Sequence, residues 1–134
     1  MGVFTQVNWI AVLVAGVFNM VFGSLWYGPL FGKAWLRAIG KKQEDIQSSP
    51  GMYMLPFLAG VASAYVLAVI IAGLGISVWW QGLIVGAIVW IGIGAAATLT
   101  TGTFEEQPRA AWMLFALYQL IVYGAQGIVF VVWT

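Results

Sequence analysis

The chain has 134 residues, of which 63% are hydrophobic and only 7% are charged. A soluble domain of this length could not bury so much apolar surface, so the composition excludes that class and favours a membrane protein. The formal net charge of +1, from five basic and four acidic residues, provides no basic patch, and we expect no nucleic-acid partner.

Four apolar stretches are long enough to cross a bilayer, because a hydrocarbon core of about 30 Å needs roughly 20 helical residues. They cover approximately residues 8–31, 52–74, 77–101 and 109–133. The charged residues lie outside these stretches or at their edge, as the cost of a charge at the bilayer centre requires. The sequence predicts a single all-α domain, residues 1–134, with four transmembrane helices. No basic residue precedes the first span, so we interpret it as a retained helix and not as a signal peptide.

The basic residues give the predicted helices an orientation. Loops that follow the first and third spans contain all of them, namely Lys33, Arg37, Lys41, Lys42 and Arg109. The second loop and both termini contain none. The positive-inside rule therefore places the first and third loops in the cytoplasm and both termini outside, giving an N-out/C-out multi-pass protein of the inner (cytoplasmic) membrane.

The first loop is predicted to contain a short amphipathic helix that lies in the headgroup layer. Residues 33–46 interleave apolar side chains with lysine and arginine, a composition suited to the membrane interface. Gly40 is expected to end this helix. Ser49 is expected to cap the second span, with Pro50 in its first turn.

Small residues recur every four positions along parts of the second and third spans, a pattern that allows helix backbones to approach closely. The residues concerned are Gly60, Ala64, Ala68 and Ala72 in the second span, and Gly82, Gly86, Gly94 and Thr98 in the third. We interpret both stripes as packing within one bundle, with an oligomer seam or a pore lining as the alternatives.

Polar and aromatic residues share faces of the first and fourth spans. Amides at bilayer depth need partners, so these groups predict either cross-links within the bundle or a small polar cavity walled by aromatic rings. Pro29 and Pro56, near the cytoplasmic ends of the first two spans, are expected to shape a vestibule through kinks. The candidate ligand-binding or pore-lining residues are Asn19, Trp26, Tyr27, Gln119, Tyr123 and Gln126.

Charged residues form a second candidate group on the predicted cytoplasmic face. Its members are Lys33, Arg37, Glu105, Glu106 and Arg109. We interpret this group as helix capping and ion pairing, with a pair such as Glu105 and Lys33 joining the two loops, and we do not favour a binding role.

Two blocks of sequence resemble the signature of a bacterial membrane-protein family catalogued as domain of unknown function 1761. The first comprises Asn8 to Ala11 and the Trp-Tyr-Gly-Pro-Leu-Phe-Gly-Lys-Ala-Trp run of residues 26–35, and the second comprises Phe104-Glu105, Arg109 and Tyr118-Gln119. The resemblance covers most of the chain and implies a four-span membrane protein without a transferable activity. Members often have histidine where this chain has Gln119, which counts against proton chemistry there.

The residues narrow the possible functions by what they lack. The chain has no cysteine and no histidine, and no carboxylate lies within a span, so we expect no enzyme, no catalytic residue, no metal site and no cofactor. The favoured hypothesis is a homo-oligomer that binds or passes a small neutral or lipid-like molecule, with membrane lipids as partners. An uncoupled ion channel or small transporter is the alternative, and a lipid-modifying enzyme at the membrane surface is less favoured.

Overall fold

The computed structural model describes residues 7–42, 44 and 50–133, and it describes the side chains of the second span from residue 54 onward. Within these ranges the regular structure is helical. In chain order it consists of α1 (Trp9–Leu25), a first π-turn (Trp26–Leu30), α2 (Gly32–Ile39), α3 (Pro50–Leu74), α4 (Trp79–Val89), a second π-turn (Trp90–Ala95), α5 (Ala96–Phe104) and α6 (Arg109–Val132).

Four segments are long and apolar enough to cross a membrane, which confirms the predicted fold class. They are Trp9–Leu30, Met54–Leu74, Trp79–Phe104 and Arg109–Val132. These bounds agree with the predicted spans to within three residues at every end. The agreement is expected, because the length of an apolar run is the strongest signal that a membrane helix leaves in a sequence.

A kink ends the first span, as the proline in this region predicts. Gly28 leaves helical geometry with φ −108° and ψ −106°, and Pro29 has no N–H to continue the helical ladder. The Phe31 N–H donates to the Trp26 carbonyl at 2.8 Å, closing a wide turn. By contrast, Pro56 lies inside α3, which continues through it as one helix.

Helix α2 is the predicted amphipathic helix of the first loop. Gly32 is buried, Trp35 is partly buried, and Lys33 and Arg37 are exposed. Gly40 ends the helix in the left-handed region with φ 70°, a conformation that glycine adopts at little cost. The predicted cap of the second span at Ser49 lies outside the described residues, although α3 does begin at Pro50.

The four spans pack as two close pairs, α1 with α3 and α4 with α6. Glycines bring the second pair together, since a Cβ atom added at Gly82 would overlap the Gly127 carbonyl oxygen, and one added at Gly86 would overlap the Tyr123 carbonyl oxygen. In the first pair, Gly60 lies against Asn19. The stripe glycines Gly60, Gly82 and Gly86 thus pack within one bundle.

The larger buried apolar cluster joins the two pairs at one end of the bundle, and a smaller one, formed by Trp26, Tyr118 and Val122, joins only the first span to the fourth near the other end. We call the end with the larger cluster the terminal end, because Val7 and Trp133 lie there, and we call the opposite end, which carries the first and third loops, the loop end. Val12, Ala64 and Leu67 have no exposed surface in the core, which also includes Phe130. Toward the loop end the two pairs separate.

Candidate functional site

A cavity of about 860 Å³ occupies the space where the helix pairs separate. It reaches the loop end, where Trp35 of α2 and Gln107 of the third loop contribute to its lining. Its polar and aromatic lining residues include Asn19, Ser24, Tyr27, Ser63, Trp90, Phe115, Tyr118, Gln119, Tyr123 and Gln126. None of the residues that the structure places in this lining carries a formal charge.

All four spans contribute to the cavity near the middle of the bundle. Asn19, Ser63, Trp90 and Gln119 each lie close to the centre of their own span. The cavity therefore reaches the depth that would correspond to the bilayer midplane. Substrate and ion sites of membrane transporters commonly lie at this depth.

One wall of the cavity is aromatic. The Trp90 ring lies 5.6 Å from the Phe115 ring in an edge-on arrangement and 5.5 Å from the Tyr123 ring, measured between ring centroids. Trp90 belongs to the second π-turn and is only 4% exposed. The lining also includes the small residues Ala59, Gly60 and Ser63 of α3, of which Gly60 lies against the Asn19 side chain.

Three polar side chains join the first span to the fourth. The Tyr118 hydroxyl contacts the Asn19 backbone oxygen at 2.7 Å and also the Asn19 Oδ1 atom. Gln126 Nε2 donates to the Ala15 carbonyl oxygen at 3.2 Å. Part of the polar face thus forms the cross-links that we considered for these amides.

Other polar atoms in the lining have no hydrogen-bond partner among the described residues. Gln126 is only 2% exposed, and its single hydrogen bond uses the amide nitrogen, so the Oε1 atom is free. The Trp90 indole N–H, the Asn19 amide N–H groups and both ends of the Gln119 amide are likewise unpaired within the described part of the chain. No fully buried side-chain polar atom among the described residues lacks a partner, so these atoms retain some exposed surface, and their residues line the cavity.

The structure brings together five of the six residues predicted for the polar site. Asn19, Tyr27, Gln119, Tyr123 and Gln126 all line the cavity. The sixth is Trp26.

Trp26 lies outside the cavity lining. It is 6% exposed, packs against Phe22 and Tyr118, and donates from Nε1 to the Leu114 carbonyl oxygen at 3.1 Å. The physical reason is the indole N–H, which at this depth needs an acceptor and finds it in the Leu114 carbonyl of the fourth span.

The sequence did not indicate the contribution of the second and third spans. Ser63 lies beside the small-residue stripe of the second span, and Trp90 interrupts the stripe of the third. A polar side chain or a large ring within such a stripe was the available signal. The sequence does not show toward which neighbour such a side chain points, because that depends on the rotational phase of the helix, and a π-turn shifts this phase.

The predicted charge cluster is not joined by ion pairs. Among the described residues, no ion pair links Lys33 or Arg37 to Glu105 or Glu106, so the expected staple between Glu105 and Lys33 is absent. The reason is the orientation of α2, which turns its apolar face toward the bundle and these two cations outward. No three His, Cys, Asp or Glu side chains of the described residues could together hold a metal ion.

Four apolar helices around an uncharged internal cavity define a multi-pass α-helical membrane protein. A family model matches residues 10–131 of the chain. The chain belongs to the family described as Protein of unknown function (DUF1761), which confirms the resemblance seen in residues 26–35. No curated protein and no solved structure matches the chain.

Proposed function

We propose that the protein binds a small neutral or lipid-like molecule in the cavity between its helix pairs. The observation that carries this proposal is a space of about 860 Å³ lined by uncharged polar and aromatic side chains from all four spans. Small-molecule sites typically measure roughly 300 to 1,000 Å³ and combine apolar walls with a few polar groups.

The chemistry of the lining favours a neutral ligand. A charged molecule at this depth would need a counter-charge, and none lies in the described lining. Tyrosines are the ionisable side chains in the described lining, which holds no carboxylate, histidine or cysteine, so we propose binding and no enzymatic role.

A buried core separates this cavity from a smaller hollow of about 410 Å³ at the terminal end, which favours a pocket over a pore. Beyond Gln126, the core residues Val12, Ala64 and Leu67 fill the space between the helix pairs and are fully buried. An uncoupled channel or small transporter, the alternative function, would have to open this core. Flux of water or small neutral solutes through liposomes that contain the protein would favour that alternative.

A cavity-filling substitution tests the proposed binding. Ser63→Phe places a ring in the cavity, whereas Ala62→Phe places the same ring on the exposed face of the same helix. We expect a small molecule identified by mass spectrometry to co-purify with the original protein and with Ala62→Phe, and to be reduced at least tenfold in Ser63→Phe. Equal recovery from both variants would contradict the proposal.

Homo-oligomerisation forms a second part of the proposed function. The third span buries only 17% of its most apolar window inside the chain, the smallest share among the four spans. Its exposed residues include Ile84, Ile88 and Ile91, which supports contact with lipid or with another copy. Native mass spectrometry from mild detergent should show dimers or larger species, and monomer alone would remove this part of the proposal.

A further inference from the structure

We infer that the mid-depth part of the cavity is a slot for a planar, uncharged ring that carries carbonyl groups at its edge. The inference rests on the proposed function and specifies the class of its ligand. Three features of the cavity lead to it: the shape of its walls, the polarity of its rim, and the depth at which its unpaired polar atoms lie.

The two walls are suited to a flat molecule. Phe115 and Tyr123 supply partly exposed aromatic surface from the pair formed by the third and fourth spans, whereas the Trp90 ring that contacts both of them is only 4% exposed. Ala59 and Ser63 add small side chains from the other pair. A planar ring can stack on aromatic side chains while its other face lies against small residues, whereas a branched or bulky molecule cannot use both walls.

The free polar atoms around this slot include two plain donors, while the hydroxyls of Ser63 and Tyr123, unpaired among the described residues, can donate or accept. The Trp90 indole N–H and the Asn19 Nδ2 group are donors, and the Gln119 amide can donate or accept. Carbonyl oxygens on a ring edge are acceptors that match these donors without introducing charge. The free Gln126 Oε1 atom adds one acceptor, which suits an N–H or O–H group on the same ring.

The depth of these atoms argues against an ordinary phospholipid orientation. A lipid that enters with its tail inward would place hydrocarbon against Gln119 and Gln126, and their free amide groups would stay unpaired. A ring compound whose polar edge enters first can form hydrogen bonds with the amide groups of Gln119 and Gln126. The same chemistry has two sources, a quinone dissolved in the membrane or a heterocyclic base from the aqueous phase.

Gln119 provides the sharpest test because it makes no hydrogen bond within the described chain. Gln119→Leu should therefore leave the unfolding temperature of the ligand-free protein unchanged and lower ring affinity about tenfold, the effect of one lost hydrogen bond. Gln81→Leu is the matched control, because Gln81 is exposed at the start of α4. A purely structural Gln119 would show the reverse pattern, with a lower unfolding temperature and unchanged affinity.

The experiment measures binding of menadione, thymine and decanol to the purified protein in detergent, through the ligand-dependent shift in unfolding temperature. Menadione binding that is weakened by Gln119→Leu but not by Gln81→Leu supports the inference with a membrane source. The same pattern with thymine supports it with an aqueous source. Decanol binding alone overturns the inference while leaving the proposed function intact, and binding of none of the three, with no co-purifying molecule, overturns both.

Discussion

Tyr118 illustrates how one side chain both closes the bundle and borders the site. Its hydroxyl contacts two oxygens of Asn19, and its ring lies 5.8 Å from that of Tyr27 in an edge-on arrangement. Gly23 makes this approach possible, since a Cβ atom there would lie 2.7 Å from the Tyr118 hydroxyl oxygen. The sequence indicated a tyrosine and an amide that needed partners, but it could not show that they would satisfy each other.

Removing the Tyr118 hydroxyl should weaken the packing of the first span against the fourth. We expect Tyr118→Phe to lower stability by about 1 kcal/mol, because one buried hydrogen bond is lost while the ring remains. Phe18→Leu is the control, because it changes an exposed ring on the same helix as Asn19. Thermal unfolding in detergent measures the stability of both variants. A loss of stability in Phe18→Leu that equals or exceeds the loss in Tyr118→Phe would argue against the hydrogen bond.

At the scale of whole elements, composition determined which segments became spans, whereas glycine spacing determined which faces met. The stripe at Gly82 and Gly86 predicted close packing, and the structure shows α6 as the partner through Gly127 and the Tyr123 backbone. Which helix would meet the stripe could not be predicted, because the third span is apolar around most of its circumference and has no polar face to orient it. Pro29 predicted a kink in the first π-turn, but the second π-turn, Trp90–Ala95, contains no proline that could have predicted it.

The close contact between α4 and α6 predicts a large effect from a single methyl group. Gly82→Ala should destabilise the bundle by about 2 kcal/mol or more, because the added carbon meets backbone that cannot move aside as a side chain would. Gly92→Ala is the control, because a Cβ atom there would have no neighbour within 4 Å. Unfolding temperatures in detergent should fall for the first variant and stay unchanged or rise for the second, since alanine also favours helix.

At the scale of the whole molecule, the two helix pairs form a wedge that is filled by core residues toward the terminal end and opens toward the loop end, where Trp26 and Tyr118 still hold the first span against the fourth. The charge distribution predicts that the open end faces the cytoplasm, so a ligand from the aqueous phase would enter from inside the cell. Sequence reasoning reached the four spans and five of the polar and aromatic lining residues. It missed the wedge itself, because the separation of the pairs depends on packing between distant segments.

Cysteine labelling tests this orientation directly, because the chain contains no native cysteine. We expect Ser77→Cys, in the second loop, to react with a membrane-impermeant maleimide on intact cells. Lys41→Cys, in the first loop, should react only after the cells are opened. The opposite pattern would invert the proposed topology, and labelling of both sites on intact cells would indicate mixed insertion.

The second π-turn also sets the rotational phase of everything that follows it in the third span. A π-turn holds one residue more than the α-helical turn it replaces, and one residue corresponds to about 100° of rotation around a helix. Thr98 lies just beyond this turn, where its hydroxyl oxygen accepts from Trp112 Nε1 at 3.1 Å. Deleting Gly92 would therefore rotate α5 as a unit and move Thr98 away from Trp112. In this span, the loss of one residue would change which face of the helix meets its neighbours.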